Sequence, residues 1–385
     1  MNAESLPANP FFAAPEQRVA LARQRFFEDG LRPSGMVNEA VLQSWSRCLH
    51  GRLDPDKPAE FEPVTPSRVH SVLRASRELL DAASHELDRL RVTLAGTTST
   101  AMLTDAQGVI VGSTFTQARS HERLMPVTTR IGVNLAEEAV GTTAPGITAR
   151  TAQSSVVLGG EHFFGNVQVM HCAAAPIRDV RGRLAGVLDL SSEGVPFGFD
   201  AASVVAHYAA EIENRLLAAQ STEHLVVRMQ ISTVLLDTPM AALLGITGHG
   251  RIDWMNGAAA RLLGTGTTAA GGLALPVEDH LGLPLAALLA LATSDGPHPL
   301  RLPNGLTLWL RLEWHARDGR QRLHAVPAPA MPVSAPPAPP ATLREAEHQA
   351  VVRVLGECGG NVSKAARALG VSRGRVYRLL RDGAA

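Results

Sequence analysis

The segment from Leu343 to Asp382 constrains this chain more than any other, because its spacing admits few folds. Leu343, Ala346, Ala350, Val351, Val354 and Leu355 recur on one face of a helix. Gly359-Gly360 then ends that helix, and Asn361 is an N-cap for the next. Ala365 and Ala366 are small where two helices cross, Gly370 permits a sharp turn and Val371 closes a small core. Ser372 caps a last helix that carries Arg373, Arg375, Arg378 and Arg381. This is a helix-turn-helix pattern, and such a helix fits the DNA major groove. Guanidinium groups pair bidentately with guanine, which makes Arg373 and Arg375 candidate base readers. Lys364, Ser372, Arg378 and Arg381 are placed to grip phosphate. Tyr377 is open to either role, or to packing on the first helix. The long apolar face from Leu343 to Leu355 exceeds what a lone hairpin can bury, so a homodimer reading two half-sites roughly 34 Å apart is expected.

Charge agrees with that reading. From Thr342 onward eight Lys and Arg stand against four Asp and Glu, a net of +4 in a chain whose total is zero. A basic module on an acidic body is the footprint of a nucleic-acid binder.

The 385 residues are enough for about two to four domains, and 45% apolar composition supports sizeable cores. The N-terminus lacks a basic stretch followed by an apolar run, so no signal peptide is expected. Apolar runs such as Leu283 to Ala292 fall short of the ~20 residues of a membrane span, so a cytoplasmic protein without membrane contact is expected. Cys48, Cys172 and Cys358 are scattered, which argues against a disulfide framework and a cysteine-rich metal site. The only lysines are Lys57 and Lys364, and no G-x-x-x-x-G-K-[ST] occurs. A P-loop ATPase needs that lysine at its phosphates and is excluded.

Along the chain, Glu16 to Asp29 reads as a short helix. From Thr65 a long amphipathic pattern follows, with Val69, Val72, Leu73, Leu79, Leu80, Leu87 and Leu90 on one helical face. After Gly96 the period becomes that of strands. Ala101 to Ser113 reads as a hairpin turning at Asp105–Gly108, and Cys172 to Ser191 as a second, turning at Asp179–Gly182. Between them lie a helical stretch, Gly132 to Arg150, and a strand, Ser154 to Leu158. A helix from Ala201 to about Gln220 precedes an expected connecting helix, Glu223 to Leu236. A second unit has strand, turn, strand and a helix opening near Asn256, with closing strands Thr307–Glu313 and Gln321–Val326. The tract from Pro327 to Pro340 is an extended spacer. This order implies an α+β class.

Three segments together resemble one group, the bacterial regulators of acetoin and glycerol metabolism, relatives of the sigma-54-type activators. They are Ser44-Trp-Ser-Arg-Cys with Gly51 and Asp54-Pro55, the run Gly132-Val-Asn-Leu-Ala-Glu-Glu-Ala-Val-Gly-Thr-Thr-Ala with the Cys172 and Gly182 hairpin strands, and the terminal helix-turn-helix. The resemblance implies a GAF-like sensor, a PAS-like second domain carried by Ile252-Asp-Trp-Met-Asn-Gly-Ala-Ala, and a small all-α Fis-type helix-turn-helix. The expected boundaries are 1–65 for an N-terminal helical segment, 66–220 for the sensor, 221–326 for the PAS-like domain, 327–341 for the linker and 342–385 for the DNA-binding domain. Full-length family members carry an AAA+ ATPase between sensor and DNA-binding module. Here a PAS-like unit and a proline spacer stand in that place, so an ATP-driven sigma-54 activator is not expected. A small-molecule effector, acetoin or a related small alcohol, is what the resemblance suggests.

Candidate ligand contacts in the sensor are His162, Phe163, His171, Cys172 and Asp189, with Glu161 beside them. Neighbours on a strand point to opposite faces, so His171 and Cys172 do not line one cavity together. Ordinary packing, a core cysteine beside a surface histidine, competes with ligand contact, and so does a redox role for Cys172, which needs a basic and exposed setting. Asp189 either meets a ligand or caps a turn. Trp254 and Asn256 either flank a pocket in the PAS-like unit or serve as core and helix cap, the reading favoured here. No nucleophile–base pair, metal-ligand spacing or cofactor motif stands out, so neither an enzyme nor a cofactor is expected. The rival readings are a GAF/PAS sensory protein with an unrecognised enzymatic or redox activity, and an architectural DNA-binding protein.

Overall fold

The computed structural model describes residues 14–117, 122–265, 274–294, 296–316, 319–321 and 343–382. The proline spacer and most of the expected strand Gln321–Val326 lie outside them. The chain divides into two compact units, Met1–Ala325 and Val326–Ala385.

The first unit opens with α1 (Pro15–Arg23), which runs on as a π-helical turn to Glu28, and α2 (Glu39–His50), capped by the Asn38 side chain. Next come α3 (Pro66–Ala75) and α4 (Arg77–Leu94). The amphipathic run after Thr65 is therefore two helices, not one. Ser76 leaves helical geometry, with φ −90° and ψ 12°, and the apolar stripe restarts beyond it.

The strands β1 (Ser99–Asp105) and β2 (Ile110–Ser113) form the first hairpin. The expected helical stretch from Gly132 condenses into short pieces. After α5 (Met125–Thr128) come α6 (Glu137–Val140) and α7 (Ala144–Thr151). Then β3 (Ser155–Leu158), β4 (Met170–Arg178) and β5 (Leu184–Glu193) complete an antiparallel sheet ordered β2-β1-β5-β4-β3. Helix α8 (Ala201–Gln220) follows, capped by Asp200.

Each strand of that sheet divides its residues between two cores. Leu188, Leu190, Ala173, Ala175 and Ile177 face α4 and α8, which contribute Leu79, Leu90, Val205 and Ile212. Their neighbours Val187, Cys172 and Ala174 face the other way, onto Val19 and Ala22 of α1, Leu42 and Trp45 of α2, and Phe163. The N-terminal helices thus cover one face of the sensor sheet.

The expected connecting helix over Glu223–Leu236 is instead a strand, β6 (His224–Gln230). Its Leu-Val-Val core is buried between two partner strands, a setting that β-branched side chains fill better than a helix does. After β6, the strands β7 (Ala242–Thr247) and β8 (Arg251–Met255) lead into α9 (Gly257–Leu263), which Asn256 caps. Then follow β9 (Leu275–Pro276), α10 (Val277–Leu281), α11 (Leu285–Leu291), β10 (His298–Arg301), β11 (Thr307–Ala316) and β12 (Gly319–Gln321). The second sheet runs β10-β11-β6-β7-β8-β9, with β12 paired to β11. Strand β10 had no strong signal in the sequence, since Pro299 interrupts it at a sheet edge.

The second unit is three helices, α12 (Leu343–Glu357), α13 (Val362–Ala368) and α14 (Arg373–Asp382). Among the described residues no helix is long and apolar enough to cross a membrane.

Candidate functional site

The terminal helices are built by the devices their sequence announces. Gly359 and Gly360 take φ +61° and +79° after α12, and Asn361 accepts from the Ser363 and Lys364 amides at 3.1 Å to start α13. Gly370, at φ +65°, turns the chain, and the Ser372 hydroxyl accepts from the Arg375 amide at 3.3 Å to open α14. Val351, Ala366 and Val376 form the small core, with Val362, Leu369, Val371, Leu379 and Leu380 against it. Burying Val376, with Leu379 and Leu380 beside it, leaves the opposite face of α14 outward. Ser372, Arg373, Arg375, Tyr377 and Arg378 are exposed, as is Lys364 on α13.

Tyr377 is 62% exposed, so it does not pack on the first helix. The Arg381 side chain lies outside the described residues. Two contacts from α12 brace the reading helix, and the sequence did not single them out. His348 donates from Nδ1 to the Leu379 carbonyl at 2.8 Å, and Glu347 lies 3.5 Å from the Arg375 guanidinium. Of the expected dimer face, Val351 is buried within the unit's own core.

In the sensor, the candidate ligand residues separate into two groups. His162, Cys172 and Asp189 meet, joined by Ser191. The His162 ring bonds the Gly159 carbonyl through Nδ1 at 2.9 Å and places Nε2 3.4 Å from the Cys172 sulfur. Ser191 Oγ is 3.1 Å from that sulfur and 2.6 Å from Asp189 Oδ2. Burial sets the protonation of the whole chain of groups. It lowers His162 to about 4, raises the Cys172 thiol well above its usual range and raises Asp189 to about 7. A buried protonated thiol is the opposite of the basic, exposed setting a redox cysteine needs. Ser191 escaped notice in the sequence, although its place two residues after Asp189 on one strand puts both on the same face.

Phe163 and His171 stand apart. Phe163 is fully buried and packs edge-on against Phe27 and Phe164. His171 makes none of these hydrogen bonds, is half-buried, and is lowered from its usual value by burial. Glu161 accepts from the Leu158 amide, and burial raises it to about 7.

The loop that carries His162 is bolted down by the N-terminal helices. Arg23 donates to the carbonyls of Gly160, His162 and Phe163 at 3.1, 2.6 and 3.0 Å, and its guanidinium stacks on Phe27. The Ser-Trp-Ser-Arg-Cys motif does the rest. Trp45 Nε1 donates to the Glu161 carbonyl at 2.8 Å, Arg47 grips the Glu137 carboxylate with two bonds of 2.7 Å, and the Ser44 hydroxyl meets that of Thr142 at 2.8 Å. Among the described residues no group of three or more His, Cys, Asp and Glu is placed to hold a metal ion.

Comparison with known proteins accords with both ends of this description. Residues 15–206 match the MimR N-terminal domain family, and residues 342–382 match the family described as bacterial regulatory protein, Fis family. The chain is 30% identical over 223 residues to an acetoin catabolism regulatory protein of Cupriavidus necator, a match covering 56% of this chain and 33% of that protein. It is 29% identical over 174 residues to the propane 2-monooxygenase operon transcriptional activator MimR of Mycolicibacterium smegmatis, covering 44% and 28%. These matches span a third or less of either relative. Among solved structures, the E. coli DhaR(N)–DhaL complex aligns at a TM-score of 0.44 and 18% identity, over 71% of this chain and 99% of that one.

Proposed function

The chain belongs with the bacterial transcriptional regulators that join a MimR N-terminal domain to a Fis-family helix-turn-helix, and from that premise we propose a one-component, ligand-responsive DNA-binding regulator. The observation that carries this reading is the outward row of Arg373, Arg375 and Arg378 on α14, opposite a buried Val376. Arg373 and Arg375 read base edges, while Lys364, Ser372 and Arg378 hold phosphates. The protein acts as a homodimer on paired half-sites. It regulates without ATP-driven remodelling of a sigma-54 promoter complex, since no Walker lysine is present in its sequence.

The unit built on the first antiparallel sheet is the sensor and the second sheet is PAS-like. Residues 66–220, 221–326, 327–341 and 342–385 are taken as sensor, PAS-like domain, linker and DNA-binding domain, with 1–65 as the covering segment. The relatives named for acetoin catabolism and for a propane 2-monooxygenase operon support a small organic effector, acetoin or a related small alcohol.

The test is fluorescence-anisotropy binding of the protein and of Arg373→Ala to DNA upstream of its own operon, across a salt series. Tight binding over scrambled DNA, lost in the variant, is expected. Binding indifferent to sequence would replace a regulator with an architectural protein.

A further inference from the structure

The polar chain in the sensor has one atom left over. Asp189 is completely buried, and among the described residues its Oδ1 has no hydrogen-bond partner, although buried polar atoms nearly always find one. A donor–acceptor count shows what is missing. His162 uses its Nδ1 proton on Gly159, so Nε2 is a lone-pair acceptor that takes the Cys172 S–H. The sulfur in turn accepts from Ser191. A hydroxyl has one proton, so Ser191 satisfies Cys172 and Asp189 together only if the carboxyl supplies the other proton, from Oδ2. With the proton on Oδ2, every member is paired from Asp189 through Ser191 and Cys172 to His162, and Oδ1 alone waits for a donor. The raised value of Asp189 agrees with this order.

We propose that Asp189 Oδ1 is the anchoring acceptor for a small, uncharged effector that offers a hydroxyl group. The surroundings select that chemistry. Across the strands, Asp189 faces Met102 and Ala174, and Val187 shares its face, all three in the core covered by the N-terminal helices. In that proton order Asp189, Cys172 and His162 are all uncharged, so a cation would have to ionise a fully desolvated carboxyl, and an anion would meet the lone pairs of Oδ1. Ala174 is short and Met102 unbranched and adaptable, which suits a ligand of a few carbon atoms. The same chain links the ligand to His162, whose loop Arg23 and Trp45 hold, so occupancy is reported to the covering helices.

The inference rests on the reading of this unit as a sensor, and its test needs no DNA. Infrared difference spectra of the full chain minus Asp189→Asn, at pH 5.5, isolate the carbonyl stretch of a protonated Asp189. Addition of 1-propanol or 1,2-propanediol is expected to move that band to lower frequency, while propionate and propylammonium leave it unmoved. In parallel, the alcohols should raise the thermal midpoint of the wild type and of Asp189→Asn, which keeps an acceptor oxygen, but not of Asp189→Leu. Absence of the band, or a band indifferent to both alcohols, overturns the proposal, as does its loss with propylammonium. Alcohol stabilisation that persists in Asp189→Leu places the effector elsewhere and leaves the sensor reading standing. Should Asp189→Asn fail to fold, carboxyl-13C aspartate labelling identifies the same band in the wild type.

Discussion

Asn256 donates from Nδ2 to Oδ1 of Asn214 at 2.8 Å, in a contact that both residues bury to within 4% of full enclosure. The bond joins α8, the last helix of the first sheet, to the start of α9 on the second. Asn256 also donates to the Ala241 carbonyl and accepts from the Leu243 and Ala259 amides. Removing it strips a helix cap and leaves buried partners unpaired. Asn256→Ala should cost roughly 3 kcal/mol in denaturant unfolding, and Asn214→Ala about half of that. A loss below 0.5 kcal/mol for Asn256→Ala, read against that ~1 kcal/mol scale for a cap alone, would show the joint to be slack.

Base and phosphate contacts separate by salt. Arg373→Ala should weaken operator binding by ~1–3 kcal/mol and flatten the preference between sequences. Arg378→Ala should weaken binding to all sequences alike and lower the salt slope by about 1. Anisotropy titrations on operator and scrambled duplexes distinguish the two.

Asp189 should give stability a pH dependence of unusual sign. Its carboxyl is raised in the folded state to about 7, so above the unfolded carboxylate value the folded chain holds a proton that the unfolded chain has released. Its burial therefore costs nothing at low pH and progressively more as pH climbs to about 7. Asp189→Asn should gain stability over the wild type across that window, by a few kcal/mol at the top, and hold constant above it. His162 is lowered to about 4 and works the other way, losing stability as pH falls from its unfolded value toward 4. Urea unfolding of both proteins at pH 4.5, 6 and 8 tests the sign.

Trp45 separates packing from its single hydrogen bond. Trp45→Ala empties a fully buried site and should cost ~3–5 kcal/mol. Trp45→Phe keeps most of the volume, leaves the Glu161 carbonyl without its donor, and should cost about 1–3 kcal/mol. Faster hydrogen exchange at residues 159–164 in Trp45→Phe, with the rest of the sheet unchanged, is the accompanying signature.

Local chemistry was legible in the sequence wherever it was carried by caps, turns and alternation. Asn361, Gly370 and Ser372 do what their residue types suggest, and both sensor hairpins turn at Asp105–Gly108 and Asp179–Gly182. The misreadings fall where tertiary context overrides local pattern. His224–Gln230 has spacing that suits a helix, yet two partner strands claim it. Ser76 breaks an apolar stripe that runs on regardless. For the candidate sites, the sequence named His162, Cys172 and Asp189 without showing that Ser191 joins them. Arg23 gave no local signal, because its three acceptors lie 137 to 140 residues away along the chain.

Helix α8 offers Ile212 and Leu216 to the first sheet, while Leu217 packs with Val226, Leu243 and Trp254 of the second and the Ala218 carbonyl bonds His315. It is a party wall, and that limits how the protein can be rewired. A fusion cut after Gln220 would carry away a helix with one bare flank and leave the second sheet without its neighbour. Chimeras that exchange effector response should therefore be joined beyond the second sheet, so that both sheets travel together.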